Sequence, residues 1–230
     1  MDVQAQEALE RVIRSRAGEG DLEGAATEAM RGYGPPIFGL LVALHRDEEQ
    51  AGEVFSMFSE DLWRGLKGFA WQCSFRTWAY TLARNASHRF RKTARRRAAG
   101  AVPLSDCPAL SAMEQQVRST TLPYLRTKTK TRIAALRETL SEEDQTLLIL
   151  RVDKGLAWSD LARVMLGEDD PGEAAVKKEA ARLRKRFQLV KERLLELGRR
   201  EGLIEGDGAD GADGSAGAGE TKAEPGRSSH

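Results

Sequence analysis

The sequence predicts an all-α protein made of two small helical domains joined by a flexible linker, and three observations carry that prediction. Apolar residues recur at helical spacing in one segment after another, as in Ile37, Leu40, Leu41 and Leu44. A stretch rich in Ala, Gly, Pro and Ser, 98–121, separates two groups of such segments. At 230 residues, with 40% hydrophobic and 31% charged positions, the chain exceeds one average domain and has modest cores to fill.

An N-terminal helix from Gln4 to Arg16 follows from Leu9, Val12 and Ile13, and a Gly-rich break sets it off from a second helix, Leu22 to Arg31. Tyr33-Gly-Pro-Pro then punctuates the chain. Pro36 suits the first turn of the next helix, which carries the 37–44 stripe. The helix from Glu48 to Leu66 buries Val54, Phe55, Phe58 and Leu62. Trp71, Phe75, Trp78, Ala79 and Leu82 keep the same period into a helix from Ser74 to Arg96, which ends in a dense basic run. These segments form a compact helical domain over 33–98, preceded by an N-terminal helical extension, 1–32.

The linker, 99–132, contains a short helix from Met113 to Leu125 and ends in the basic, threonine-rich run 127–132. The second domain, 133–202, opens near Ile133. Ser141 is a helix N-cap, and Glu142, Glu143 and Asp144 are first-turn acids ahead of Leu147, Leu148 and Leu150. A loop at Asp153-Lys-Gly155 leads to a short amphipathic helix with Trp158, Leu161, Ala162 and Met165. Gly167 to Pro171 breaks it, and a long helix runs from Gly172 to Gly198, which completes a helix-turn-helix. In the long helix Val176, Ala180, Leu183, Phe187, Val190, Leu194 and Leu197 form a seven-residue seam. A coiled coil is one reading of that seam. The clustering of Lys177, Lys178, Arg182, Arg184, Lys185 and Arg186 in the first half favours DNA contact. The tail, 203–230, has almost nothing apolar to bury and is expected to be disordered.

A net charge of +1 hides segregated acidic and basic patches. Cys73 and Cys107 lack paired spacing and there are three histidines, so neither a disulfide framework nor a four-ligand zinc site can be built, and no cofactor is expected. No apolar run approaches the ~20 residues that span a bilayer, and no signal peptide opens the chain, which therefore reads as cytoplasmic. The acids at 142–144 and 168–170 sit at helix starts or turns, where carboxylates cap and complement the helix dipole, so the chain does not read as an enzyme.

The segment from Phe69 to Arg97 is the most informative. Aromatic rings beside arginines suit unpaired bases, which stack on the rings while guanidinium groups hold phosphates. The bland reading is that Phe75, Trp78 and Leu82 are core and that the basic run is a solvated tail or a localisation signal. The residues WRGLKGFAWQCSFRTWAYTLARNASHRFRK resemble the promoter-melting segment of extracytoplasmic-function (ECF) sigma factors, of the sigma-70 family, and Leu140 to Leu197 resembles the helix-turn-helix domain of the same family. Residues 33–98 would then be a region 2 like domain and 133–202 a region 4 like domain.

The resemblance implies binding to core RNA polymerase and promoter DNA and, for many members, control by an anti-sigma factor, with no membrane insertion. It places Phe69, Trp71, Phe75, Arg84, Asn85, His88 and Arg89 at the non-template strand of the minus-ten element. Arg84 and Arg89, with Arg91, Lys92, Arg95, Arg96 and Arg97, would hold upstream phosphates. Lys177, Lys178, Arg182, Lys185 and Arg186 would face the minus-thirty-five element. Glu53, Glu60 and Asp61 would meet core polymerase. The sequence departs from the family pattern at Ser56-Met57, where Gln-Glu is usual, and at the longer turn Gly167 to Gly172. The alternatives are a helix-turn-helix regulator of duplex DNA and a helical protein that sequesters polymerase or a sigma factor.

Overall fold

The structure, a computed structural model, describes residues 3–94, 108–127, 132–168 and 170–203. Its regular elements there are all helical: α1 (Val3–Gly18), α2 (Leu22–His45), α3 (Glu48–Leu66), α4 (Phe75–Ala94), α5 (Pro108–Thr127), α6 (Arg132–Glu138), α7 (Glu142–Leu148), a π-helical turn (Ile149–Asp153), α8 (Trp158–Leu166) and α9 (Glu173–Arg200). Side-chain caps set several of the starts. Asp21 accepts from the Gly24 amide at 2.9 Å, Asp47 from Gln50 at 2.9 Å and Ser141 from Asp144 at 3.2 Å.

α2 is the hub of the first half and packs on α1, α3 and α5, while α4 closes the bundle against α3 and α2. The break expected at Tyr33-Gly-Pro-Pro does not occur, because α2 runs through Pro35 and Pro36 as one helix. An internal proline costs roughly 3 kcal/mol. Here the apolar face continues across it, with Met30, Tyr33, Ile37, Phe38 and Leu41 all buried, and packing outweighs the lost backbone bonds.

The linker segment also holds more structure than its composition predicts. α5 packs along α2 and α3, burying Leu110 and Val117, and the buried Glu114 accepts from Ser56 Oγ at 2.6 Å. In the second half, α9 lies on α8, α7 and α6. Val176, Ala180, Leu183 and Val190 of the seam are buried inside the chain, so its own helices fill the groove that a coiled-coil partner would occupy.

The halves are in contact as well as connected. α8 packs on α4 and α7 on α2, and one apolar cluster continues from Ile13 to Leu183. The expected disordered tail from 204 onward lies outside the described residues, as do Cys107 and residues 128–131 of the threonine-rich run.

Candidate nucleic-acid interface

The corner between α3 and α4 gathers the aromatic residues of the first half. Near the end of α3, Gly65 stands where the Trp78 indole would lie 2.8 Å from a Cβ. Trp78 stacks on Phe69 with centroids 4.6 Å apart and a 17° interplanar angle, and Trp71 leans on Phe69 at 4.8 Å. Phe75 meets Phe69, Trp71 and Trp78 from below at 5.8, 6.2 and 5.2 Å. Phe75 is 0% exposed, so the expectation that its ring meets the strand gives way to a supporting place under Phe69 and Trp71. Trp71 has φ +58, a left-handed conformation that bulky residues rarely adopt.

Phe69 and Trp78 of this cluster line a cavity of about 560 Å³. Phe69, Trp78 and Leu82 supply its apolar surface, and Arg64, Gln72, Asn85 and Arg89 its polar surface. A nucleobase-sized ligand fits that volume, with stacking from the rings and hydrogen bonds from the amides and guanidinium groups. Arg89 is exposed and pairs with Asp61 on α3, while Arg64 pairs with Glu60 at 3.7 Å. Burial pushes the Glu60 carboxyl above its ordinary range, and the nearby Asp61 and Glu114 charges act in the same direction. Glu53 is exposed on a separate part of α3.

Farther along α4 the predicted strand residues meet the second half of the chain. Asn85 Nδ2 donates to the Gly167 carbonyl at 2.8 Å, at the turn after α8. Gly167 has φ +73, and a Cβ there would stand 2.7 Å from Asn85 Oδ1, so backbone conformation and close approach both require glycine. Asp170 of the same turn borders the cavity. Arg84 is largely buried and its pKa is lowered by desolvation, against which the Glu143 and Glu179 charges act. Desolvation, with Arg84 and Arg91 nearby, also lowers the pKa of His88. Arg91 donates to the Leu44 carbonyl at 3.0 Å and pairs with Glu142 of α7, whereas Lys92 is exposed. Arg95, Arg96 and Arg97 lie outside the described residues.

On α9 the predicted cations divide into two sets. Lys177, Lys178 and Lys185 are exposed, with only a 3.8 Å contact from Lys177 to Glu173 of the same helix. Arg182 is held in two hydrogen bonds by Glu179, at 2.8 and 2.6 Å. Arg186 instead ties α9 to α7, through Asp144 at 2.6 Å and Glu143. Hydrogen bonding to Asp144 raises its pKa first, and the Glu143 contact adds to this. Arg186 therefore holds the helix-turn-helix together in this conformation.

Sequence reasoning missed Arg64, Gln72, Leu82 and Asp170 as cavity residues. Helical spacing from Asn85 and Trp78 finds Leu82, and the unusual length of the 167–172 turn was the one sign pointing to Asp170. No helix among the described residues is long and apolar enough to cross a membrane.

Residues 29–97, from within α2 through the whole of α4, match the family model for sigma-70 region 2. No curated protein and no solved structure matches the chain. The aromatic cavity of this chain thus lies within a segment, 29–97, that matches region 2 of the sigma-70 family.

Proposed function

We propose that the chain is a sigma factor of the ECF type, which captures the melted non-template strand of a minus-ten element in the α3–α4 cavity and a minus-thirty-five element with the first half of α9. The observation that carries this reading is the cavity itself. It joins stacking surface from Phe69 and Trp78 to the donors Arg64, Asn85 and Arg89, within the span that matches region 2. Unstacking a base costs a few kcal/mol, which ring stacking of ~1–3 kcal/mol per base and amide hydrogen bonds offset. Lys177, Lys178 and Lys185 face solvent on α9 and are free to approach a duplex.

The alternative of a dimeric duplex-binding regulator has less support, because the α9 seam it would use for dimerisation is filled by α7 and α8. In the conformation described, Asn85 is engaged by Gly167, so strand capture requires the 167–170 turn to leave α4. Core polymerase, which would bind α3 around Glu53, Glu60 and Asp61, supplies the binding energy for that rearrangement in this reading.

Transcription by purified core polymerase with the intact chain and with a Trp71→Ala, Asn85→Ala variant, on duplex and on pre-melted templates, tests the proposal. Initiation by the intact chain and a variant defect rescued by pre-melting are expected. Failure of the intact chain to initiate on promoters selected from random or genomic DNA with cognate core sinks it.

A further inference from the structure

α1 lies outside the span matched to region 2, yet it makes the most specific long-range contacts of the aromatic corner. The Glu10 carboxylate accepts from the Phe75 amide at 2.8 Å, the Arg76 amide at 2.8 Å and the Tyr33 hydroxyl at 2.8 Å. Ser74 Oγ accepts from the Thr77 amide at 3.1 Å. The opening amides of α4, which have no acceptor within the helix, are thus satisfied by one local side chain and one carboxylate from 65 positions away. A negative charge there also complements the helix dipole. Burial, then the hydrogen bond to Glu10, push the Tyr33 phenol above its ordinary value, so it remains a donor.

The same face of α1 reaches the loop that precedes α4. The Arg14 guanidinium lies 5.3 Å from the Trp71 ring centroid, and Gln6 Oε1 accepts from Arg76 Nη1 at 2.9 Å. Ile13 is fully buried, and Leu9 closes on Gly32, where a Cβ would lie 2.1 Å from Leu9 Cδ2. α1 is therefore seated on α2 and cannot rotate to release the loop without losing these contacts. The loop has little hold of its own. Trp71 sits at φ +58, and the only regular backbone bonds at its start are those of Gly68 and Phe69 to the end of α3.

We infer that Glu10 is a positioning residue for strand capture: by capping α4 from α1 it fixes where Phe69, which lines the cavity, and Trp71, which packs on Phe69, stand, with Arg14 holding the Trp71 ring. The inference rests on the reading of the α3–α4 cavity as the strand site. It assigns the N-terminal helix a task in promoter opening and places in it a residue that never touches DNA.

The test measures the affinity of assembled polymerase for fork DNA, single-stranded through the minus-ten element, cut from a promoter that the intact holoenzyme selects from random DNA. Glu10→Gln, which keeps shape but loses charge and one acceptor, is expected to weaken fork binding about tenfold, in line with the loss of a helix cap. Arg14→Ala, which leaves the α4 amides alone, is expected to weaken it about threefold. In a Trp71→Ala background Glu10→Gln should add less than about twofold, because the group it positions is gone. Competition for core polymerase should be unchanged by each variant. Equal losses from Glu10→Gln in both backgrounds would mean that the residue supports only stability and would overturn the inference. Fork affinity of Glu10→Gln within twofold of the intact chain would overturn it too. If Trp71→Ala itself leaves fork binding intact, the strand-site reading fails first, and this inference fails with it.

Discussion

α4 and α9 are both basic amphipathic helices, and they differ in what their cations do. On α4, Arg76 reaches the Lys154 carbonyl, Asn85 the Gly167 carbonyl, and Arg91 the Leu44 carbonyl and Glu142. These polar groups of α4 are already spent on other parts of the chain. On α9, Lys177, Lys178 and Lys185 face solvent, and Arg182 is held only by its own helix. On the proposed reading, the helix that would receive an unpaired strand is thus kept closed in the free chain, while the one that would find a duplex is kept open. The difference fits the order of the tasks, since phosphate attraction acts at a distance and base capture only after melting.

The sharpest way to break the comparison is to remove the side chain on which the α4 site is built. Trp78 is 6% exposed, is stacked on Phe69 and packs against Gly65. Trp78→Ala is expected to cost about 3–5 kcal/mol of stability and to abolish strand capture. Any single lysine-to-alanine change on the open face of α9 should leave urea unfolding within about 0.5 kcal/mol of the intact chain. Comparable losses from both helices would mean that α9 is not the open surface described here.

A second difference is electrostatic. His45 Nε2 is 2.9 Å from Ser87 Oγ, and its ring stands edge-on to Phe90 at 5.5 Å, so it backs the basic end of α4. Burial, with the Arg91 charge adding to it, lowers its pKa from an ordinary 6.5 to about 4. The folded chain therefore holds the ring neutral where the unfolded chain protonates it. Between about pH 4 and 6.5 the unfolded state binds more protons, and stability rises with pH through that window and is complete above it. The expected span is on the order of 2 kcal/mol, read as a shift in urea midpoint. His45→Gln should flatten that pH dependence, and a slope that survives the substitution would assign it to another group.

Much of this arrangement is legible in the sequence, and the illegible parts share a cause. α3 begins and ends where its apolar stripe predicts, because periodicity is local. The Ser141 start and the Gly167 stop are local in the same sense. The continuity of α2 through Pro35 and Pro36 is not, since it depends on what α1, α3 and α5 pack against its far side. The sequence predicts α5 only as a short linker helix, Met113 to Leu125, for the same reason: its earlier start and its place in the fold show only once Leu110, Glu114 and Val117 are known to face α2 and α3. Within the site, the aromatic cluster is visible as a motif, whereas Glu10 is an ordinary acid on an ordinary helix. Its partners are backbone amides, and backbone partners leave no mark in sequence.

The turn after α8 allows the closed state to be loosened without touching α4. Gly167→Ala adds a Cβ 2.7 Å from Asn85 Oδ1 at φ +73, whereas Gly155→Ala meets nothing within 4 Å at φ +67. Both substitutions carry similar backbone strain, of order 1–3 kcal/mol, but only the first also displaces the contact. Gly167→Ala is expected to raise the affinity of the free chain for single-stranded DNA about tenfold, and Gly155→Ala to leave it unchanged. Equal gains from both would show that general loosening, rather than release of Asn85, exposes the strand site.

The smallest expected effect concerns the open helix. If Lys177, Lys178 and Lys185 hold phosphates, alanine at each should lower the salt dependence of holoenzyme binding to upstream duplex by about one counterion, with little change among duplex sequences. Arg182 is held by Glu179 and starts with a competitor, so Arg182→Ala should lower the slope by less, and Glu179→Ala should raise affinity by freeing it. Arg186→Ala separates packing from contact. Its guanidinium joins Asp144 and Glu143, so its loss should appear as instability of the helix-turn-helix, with the salt slope of the folded protein unchanged. A fall in slope at Arg186 with stability intact would mean that on promoter DNA the residue leaves α7 for a phosphate, and that α9, like α4, rearranges before it binds.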